Sequence, residues 1–175
     1  MNSAPPPSKP LPWTFRDATL DDLPAMVEIY NSIIPSRVVT ADLEPVSVAQ
    51  RRPWFDQHSP GRRPIWVAET AGRIAGWLSY SSFHSRAAYD GTCEVSIYLG
   101  PADRGCGLGS ELLRRCIAHA PSLRCHSLVA LIFAANRPSL RLFERHGFTT
   151  WGHLPRVALV GDREHDLVIL GRRVG

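Results

Sequence analysis

The stretch Ile97-Tyr98-Leu99-Gly100-Pro101-Ala102-Asp103-Arg104-Gly105-Cys106-Gly107-Leu108-Gly109-Ser110 decides how this chain is read. It starts as the end of an apolar strand, passes Gly100-Pro101, and enters a turn with three alternating glycines. Beyond the turn, Leu112, Leu113, Cys116, Ile117 and Ala120 recur at helical spacing until Pro121 stops the pattern. A strand therefore runs into a glycine-rich turn that opens an amphipathic helix. Glycine reaches φ > 0 and lets another group approach the backbone. A helix start presents N–H groups without intrahelical partners, at the positive end of the dipole. Together they make a cradle for an anion the size of pyrophosphate, and Arg104 can add charge. The glycines taken alone would equally serve a flexible surface loop. Two common phosphate loops do not fit. There is no Gly-Lys-Ser/Thr, and the spacing is GxGxG rather than GxGxxG, with no acidic strand end about 20 residues on.

Working outward, Thr92–Leu99 reads as the strand that feeds the turn. Ile65–Glu69 and Arg73–Ser82 are two more, joined by the hairpin signal Thr70-Ala71-Gly72. A short strand is expected at Trp13–Arg16. Thr19 then opens a helix, with Asp22 three residues on and Pro24 in its first turn. Leu23, Met26, Tyr30 and Ile33 give that helix its apolar face, and Pro35 ends it. A second helix is expected over Val46–Gln57, kinked or divided at Pro53. Downstream, Ser127–Ala134 is a buried strand. Pro138–His146 is a short helix with Asn136 near its start and Gly147 at its C-terminal end. Strands are expected at Phe148–Gly152 and Arg156–Val160, and after the Gly161-Asp162 turn at Leu167–Leu170. The order β-α-α-β-β-β-α-β-α-β-β predicts an α/β (α+β) fold, a mixed central sheet of about six or seven strands flanked by helices. The hairpin links exclude an all-parallel doubly wound sheet.

The 175 residues suit one domain, and 44% hydrophobic content supplies a core. Residues 1–12 hold five of the 15 prolines and read as a disordered tail, leaving a single domain over 13–175. No apolar run approaches the roughly 18–20 residues that cross a membrane. The N-terminus has no secretory pattern, so a cytoplasmic protein without a membrane partner is expected. The net charge is +4, but arginines are scattered among 16 acids with no run of like charge. Nucleic acid is therefore not an expected partner, whereas a positive field suits an anionic cofactor. Cys93, Cys106, Cys116 and Cys125 show no CxxC or zinc spacing; reduced thiols are expected, at least three of them small buried hydrophobes. The seven histidines are scattered, and no metal is assigned.

Two segments carry a resemblance. Arg104-Gly105-Cys106-Gly107-Leu108-Gly109 matches the R/Q-x-x-G-x-G/A signature of GNAT (Gcn5-related) N-acetyltransferases. Asn136-Arg137-Pro138-Ser139, then Leu142, Phe143, Glu144 and Gly147-Phe148, is similar to the second signature of that family. Within it the chain resembles the branch of phosphinothricin and methionine sulfoximine acetyltransferases. Arg16-Asp17-Ala18-Thr19, Ile29-Tyr30-Asn31, Arg51-Arg52, Trp54-Phe55, Ala75-Gly76-Trp77 and Asp166-Leu167-Val168 carry that match, which is patchy around 35–45. Val95 departs from the branch's His after Glu94. Phe143 stands where others have His or Tyr, which removes a phenol that could protonate a leaving thiolate.

The resemblance implies a GNAT fold and direct transfer of acetyl from acetyl-CoA to the amine of a small amino-acid-like molecule, without a metal. It assigns the backbone of Ile97 and Leu99 to pantetheine, with Leu99 N–H as the thioester-oxygen donor. Their side chains read as core. It assigns the backbone of Arg104, Gly105, Gly107, Gly109 and Ser110 to the pyrophosphate, and Asn136, Ser139 and Phe143 to the cofactor. Asn136 also reads as a helix N-cap, and the two roles are compatible. Glu94 is the candidate base, because burying a carboxylate raises its pKa; read from the sequence alone it could equally be an outward-facing edge residue. Phe83, Arg86 and Tyr89 are the candidate acceptor contacts, since a guanidinium grips a carboxylate bidentately; a solvated loop arginine is the plain alternative for Arg86. A homodimer is implied, with Trp151 and the C-terminal hairpin as candidate contacts. Competing functions are a protein or peptide N-acetyltransferase and a catalytically silent CoA-binding module.

Overall fold

The computed structural model describes residues 12–175, so the expected tail over 1–12 lies outside the described residues apart from Pro12. Seven strands form one sheet in the order β1-β2-β3-β4-β5-β7-β6. They are β1 (Thr14–Asp17), β2 (Ile65–Thr70), β3 (Arg73–Ser82), β4 (Thr92–Leu99), β5 (Ser127–Phe133), β6 (Thr149–Val160) and β7 (Arg163–Arg173). All neighbours are antiparallel except β4 and β5. Four helices flank the sheet: α1 (Leu23–Asn31), α2 (Val48–Asp56), α3 (Leu108–His119) and α4 (Arg137–Arg145). This is the mixed, helix-flanked sheet expected from the element order.

Local chemistry explains the boundaries. Thr19 N–H donates to Asp22 Oδ2 at 2.7 Å and leads a short 3-10 turn into α1. Ser47 and Gln50 cap α2 reciprocally, at 3.2 and 2.7 Å. Ala71 and Gly72 both take positive φ, 48° and 75°, as a two-residue hairpin between right-twisted strands requires. Each face of the sheet carries its own core. Leu108, Leu112, Leu113 and Cys116 of α3 pack with Cys93, Val95, Ile97 and Leu99 of β4. Met26, Ile29, Tyr30 and Ile33 pack with Val67, Trp77 and Tyr98 on the other face.

Four expectations need correction. Pro53 lies inside a single helix and does not divide it. The two strands expected over 148–160 are one strand; register shifts at Thr150/Gly152 and Leu154/Ala158 absorb the irregular middle, where Arg156 sits at φ 50°. The last strand runs from Arg163 to Arg173, well beyond Leu167–Leu170, because it is paired on both sides by β5 and β6. Cys93 and Cys125 form a disulfide in place of the expected reduced thiols. Cys125 immediately precedes β5, and Cys93 pairs in register with Leu128, so the parallel pairing brings their Cα atoms to 6.4 Å. Both are buried, as is Cys116, while Cys106 is exposed.

The parallel joint positions the site. β4 and β5 pair only from Thr92 to Glu94 and Ser127 to Val129. Beyond those residues β4 pairs with β3 alone and β5 with β7 alone, leaving a gap between them.

Candidate active site

The backbone of β4 faces the gap along one wall. Gly100 N–H donates to Ala75 C=O at 2.8 Å. In an antiparallel ladder, bonding to one neighbour alternates along the strand. Tyr98, Ser96 and Glu94 therefore bond towards β3, and the N–H and C=O groups of Leu99 and Ile97 face the gap. Arg104 Nε confirms this for one group by donating to Leu99 C=O at 3.2 Å.

The glycine turn closes one end of the gap. A 3-10 turn over Pro101–Asp103 is pinned by buried Asp103, which accepts from Arg73 at 2.6 and 2.9 Å. Gly105 and Gly107 then sit at φ 73° and 96°. A Cβ at either position would meet nothing within 4 Å, so conformation and not space demands glycine there. Gly107 is the N-cap of α3 and offers no side-chain acceptor. The first N–H groups of α3 are thus left to whatever fills the groove.

The resulting cavity measures about 1020 Å³. Ile97, Leu99, Arg104, Gly105, Gly107, Gly109, Ser110, Asn136 and Ser139 all line it, as expected. Arg141, Arg145 and His146 of the α4 region add three nitrogen-bearing side chains that the sequence reading missed, and no acid is among the lining residues. Ser110 Oγ lies 2.6 Å from His146 Nε2. Burial, then Arg172, Arg145 and Arg114, lowers the His146 pKa. Asn136 caps α4 by accepting from Ser139 N–H at 3.3 Å. Phe143 is a correction: it points into the core edge-on to Phe148, and does not reach the groove.

The profile of the acetyltransferase (GNAT) family matches residues 23–148. The chain belongs to the GNAT acetyltransferase family. YwnH of Bacillus subtilis, named for phosphinothricin acetylation, is 49% identical over 92% of this chain and 99% of its own. An L-methionine sulfoximine/L-methionine sulfone acetyltransferase of Pseudomonas aeruginosa is 35% identical over 90% of this chain and 92% of its own. The crystal structure of a GNAT superfamily phosphinothricin acetyltransferase from Sinorhizobium meliloti in complex with AcCoA superposes with a TM-score of 0.88. It is 30% identical and covers 94% of this chain and 90% of its own. This GNAT protein is an acetyl-CoA-dependent N-acetyltransferase. Its groove suits that cosubstrate, with open strand edges for an amide-bearing arm and an acid-free, arginine-rich end for phosphates.

The candidate base Glu94 lies on the other face of β4. Glu94 is in a central strand and not at an edge, paired to Ser81 and Val129. Its side chain is partly buried, has no hydrogen bond or ion pair among the described residues, and desolvation raises its pKa. Side chains alternate along a strand, so Glu94 shares its face with Ser96 and Tyr98. The buried Val95 lies on the opposite face, under α3. A histidine there would point away from Glu94, so the departure at 95 leaves the carboxylate's surroundings unchanged. Around Tyr98 stand Trp77 and Tyr30, with ring centroids at 4.4 and 5.2 Å. The Tyr30 hydroxyl donates to Asp42 and lies 2.6 Å from Thr40 Oγ1. This cluster escaped the sequence reading because α1, the 40–42 segment, β3 and β4 each supply part of it; only the period-2 spacing of Glu94, Ser96 and Tyr98 signals it.

Phe83, Arg86 and Tyr89 occupy the loop that leads into β4. The Phe83 and Tyr89 rings approach to 6.1 Å, and Arg86 N–H donates to His84 Nδ1 at 3.1 Å. All three are exposed, and none lines the cofactor groove.

Proposed function

We propose that this enzyme acetylates the amine of a small amino-acid-like acid of the phosphinothricin or methionine sulfoximine type. The observation that carries this reading is Glu94: a partly buried carboxylate without a partner, on the strand whose next residues open their backbone to the gap. Acetyl-CoA supplies the activated acetyl thioester when bound. The backbone of Ile97 and Leu99 holds the pantetheine arm, and Leu99 N–H stabilises oxyanion charge on the thioester carbonyl. The turn from Arg104 to Ser110 holds the pyrophosphate, with Asn136 and Ser139 at the groove's other wall. Glu94 removes a proton from the acceptor ammonium, directly or through a water, so that the free amine attacks the thioester carbon; the C–S bond then breaks, and the CoA thiolate leaves and takes up, by way of solvent, the proton that the acylated nitrogen sheds. Phe83, Arg86 and Tyr89 receive the acceptor, with Arg86 facing its acid group.

We also read the chain as a cytoplasmic homodimer, the dimer being supported by edge strand β6, which exposes Trp151 and Leu159. The test of the acceptor class is a kcat/KM panel. Phosphinothricin, methionine sulfoximine and ordinary amino acids are compared with their decarboxylated amines and with peptide N-termini. Preference for the free acids is expected. Equal rates on acids and amines, or activity on peptides alone, would overturn the reading.

A further inference from the structure

One arginine in this fold is out of place. A partly buried guanidinium is costly unless a carboxylate or carbonyl accepts its protons. The other arginines obey that rule. Arg63 donates to Asp90 C=O and Ser82, Arg115 to Glu111, and Arg172 to His146 C=O. Those without an acceptor, such as Arg37, Arg86, Arg124 and Arg163, are exposed. Arg51, on the first turns of α2, is partly buried and has no hydrogen-bond or ion-pair acceptor among the described residues. It is held only by aromatic faces, with its guanidinium carbon 4.2 Å from the Trp54 ring centroid and 4.6 Å from that of Tyr30. Stacking of this kind fixes the plane of the fork and leaves its N–H edges unspent.

The surroundings say what those edges face. Tyr30 packs on Tyr98, and Tyr98 lines the cofactor groove. Arg51 lies over the Tyr30 ring that packs on Tyr98, and Glu94 shares the Tyr98 face of β4. Asp42 is engaged by the Tyr30 hydroxyl, whereas Glu94 is free. An unpaired cation and an unpaired anion therefore stand on either side of Tyr98, Arg51 through the Tyr30 ring and Glu94 along the same face of β4. An α-amino acid is the complementary dipole, an ammonium beside a carboxylate.

We propose that Arg51, positioned by Tyr30 and Trp54, is a specificity-determining anchor for the acid group of the acceptor, while Glu94 meets the ammonium. This rests on the reading of the acceptor as an amino-acid-like acid. It adds a second cation, inside the fold, to the exposed Arg86.

The experiment uses full-length enzyme with L-methionine and its decarboxylated counterpart, 3-(methylthio)propylamine. Kinetics on acetyl-CoA and calorimetry on the CoA-loaded protein give the acid-over-amine ratio for wild type, Arg51→Gln and Arg51→Lys. Arg51→Gln should lose about 10- to 100-fold on the acid, the range for a hydrogen bond between charged groups, and little on the amine. Arg51→Lys keeps the charge without the fork and should fall between. An unchanged ratio, or equal losses on both acceptors, overturns the proposal and makes Arg51 structural. A selective loss of CoA affinity overturns it too, by assigning the cation to the cofactor groove. If Arg51→Gln does not fold, the ratio in Arg51→Lys decides: a severalfold fall supports the anchor, and no change overturns it. Wild-type enzyme without acid preference would instead sink the acceptor class itself, before any variant is made.

Discussion

Replacing Glu94 by Gln keeps the shape of the side chain and removes its ability to take a proton. The structure gives this change two consequences of definite sign. First, the acceptor ammonium is mostly protonated at neutral pH, and Glu94 is the one carboxylate that β4 itself carries, Asp42 nearby being engaged by the Tyr30 hydroxyl. General-base assistance is worth about 10²–10⁴-fold, so kcat should fall by that factor, or by about 2.7–5.4 kcal/mol at 1.36 kcal/mol per tenfold. The wild-type rate should rise with pH as Glu94 ionises, at a pH shifted upward because burial raises its pKa. In the variant that limb should vanish, and the rate should climb with the free-amine fraction alone. Second, the folded state binds the Glu94 proton more tightly than the unfolded chain does. Wild-type stability must then decline as pH rises from the unfolded carboxylate pKa through the raised folded one. Glu94→Gln should lack that decline and be relatively more stable at neutral pH, with no difference in strong acid. Steady-state kinetics from about pH 5.5 to 9.5 read the first effect, and thermal melts extended down to about pH 2.5, below the unfolded carboxylate pKa, read the second. A variant with near-normal kcat at every pH would refute the reasoning and leave Glu94 a structural residue.

Three further outcomes are expected. Gly107→Ala should cost about 1–2 kcal/mol of backbone strain at φ 96° while meeting no neighbour. Gly107→Asp adds a negative charge where phosphate is expected, so calorimetry should show CoA affinity at least about tenfold below that of the Ala variant; equal affinities would move the phosphate elsewhere. Gly76→Ala puts a Cβ 2.9 Å from Tyr98 C=O and 2.7 Å from Leu99 Cδ2, which must displace the groove-lining end of β4. Overpacking of this kind costs about 1–3 kcal/mol, and CoA affinity should fall together with the melting temperature; loss of stability with intact CoA affinity would show that β4 does not set the groove. Leu159 is 66% exposed on edge strand β6; under the proposed homodimer, Leu159→Asp should leave the fold intact and halve the mass seen by light scattering, whereas an unchanged dimer mass would place the contact elsewhere and a monomer mass for the wild type would overturn the dimer.

The sequence was most legible where local chemistry and tertiary role coincide. β4 falls on the expected residues, and the glycine turn opens α3 because φ > 0 and an uncapped helix start are both written locally. The Asn136 cap on α4 was legible for the same reason. Legibility failed where a distant partner decides. β7 extends because two strands pair with it, which no window of its own sequence reveals. Cys93 and Cys125 meet only because β4 and β5 run parallel from a common start. Phe143 and Leu142 are adjacent in the second signature, yet α4 turns the first into the core and the second to the groove. Arg51 looked like one of two consecutive helix arginines. Arg52 pairs with Asp56 one turn on, at 2.7 Å, whereas the neighbours that define Arg51 come from α1 and from within α2 itself.

The division of labour in this enzyme follows from the period of a single strand. At odd positions of β4, the side chains of Cys93, Val95, Ile97 and Leu99 build the core under α3. Their peptide groups point along the sheet towards β5, and once β5 departs those of Ile97 and Leu99 are left for the cofactor arm. At even positions the peptide groups are spent on β3, so only the side chains of Glu94, Ser96 and Tyr98 remain to act, and they act on the opposite face. In the proposed reading β4 thereby offers backbone to the cofactor arm and side chains to the acceptor, while the loops on either side of it, at 83–89 and 100–107, complete the two sites. It also follows that substitutions at 97 and 99 should be tolerated by the chemistry if they preserve packing, because the groups that meet the cofactor are peptide groups. At 94 no such tolerance is available. A one-residue slip of β4 against β3 would exchange the two sets, burying Glu94 under α3 and turning its neighbours' peptide groups away from the gap. The register that builds the core is therefore the same register that assembles the site.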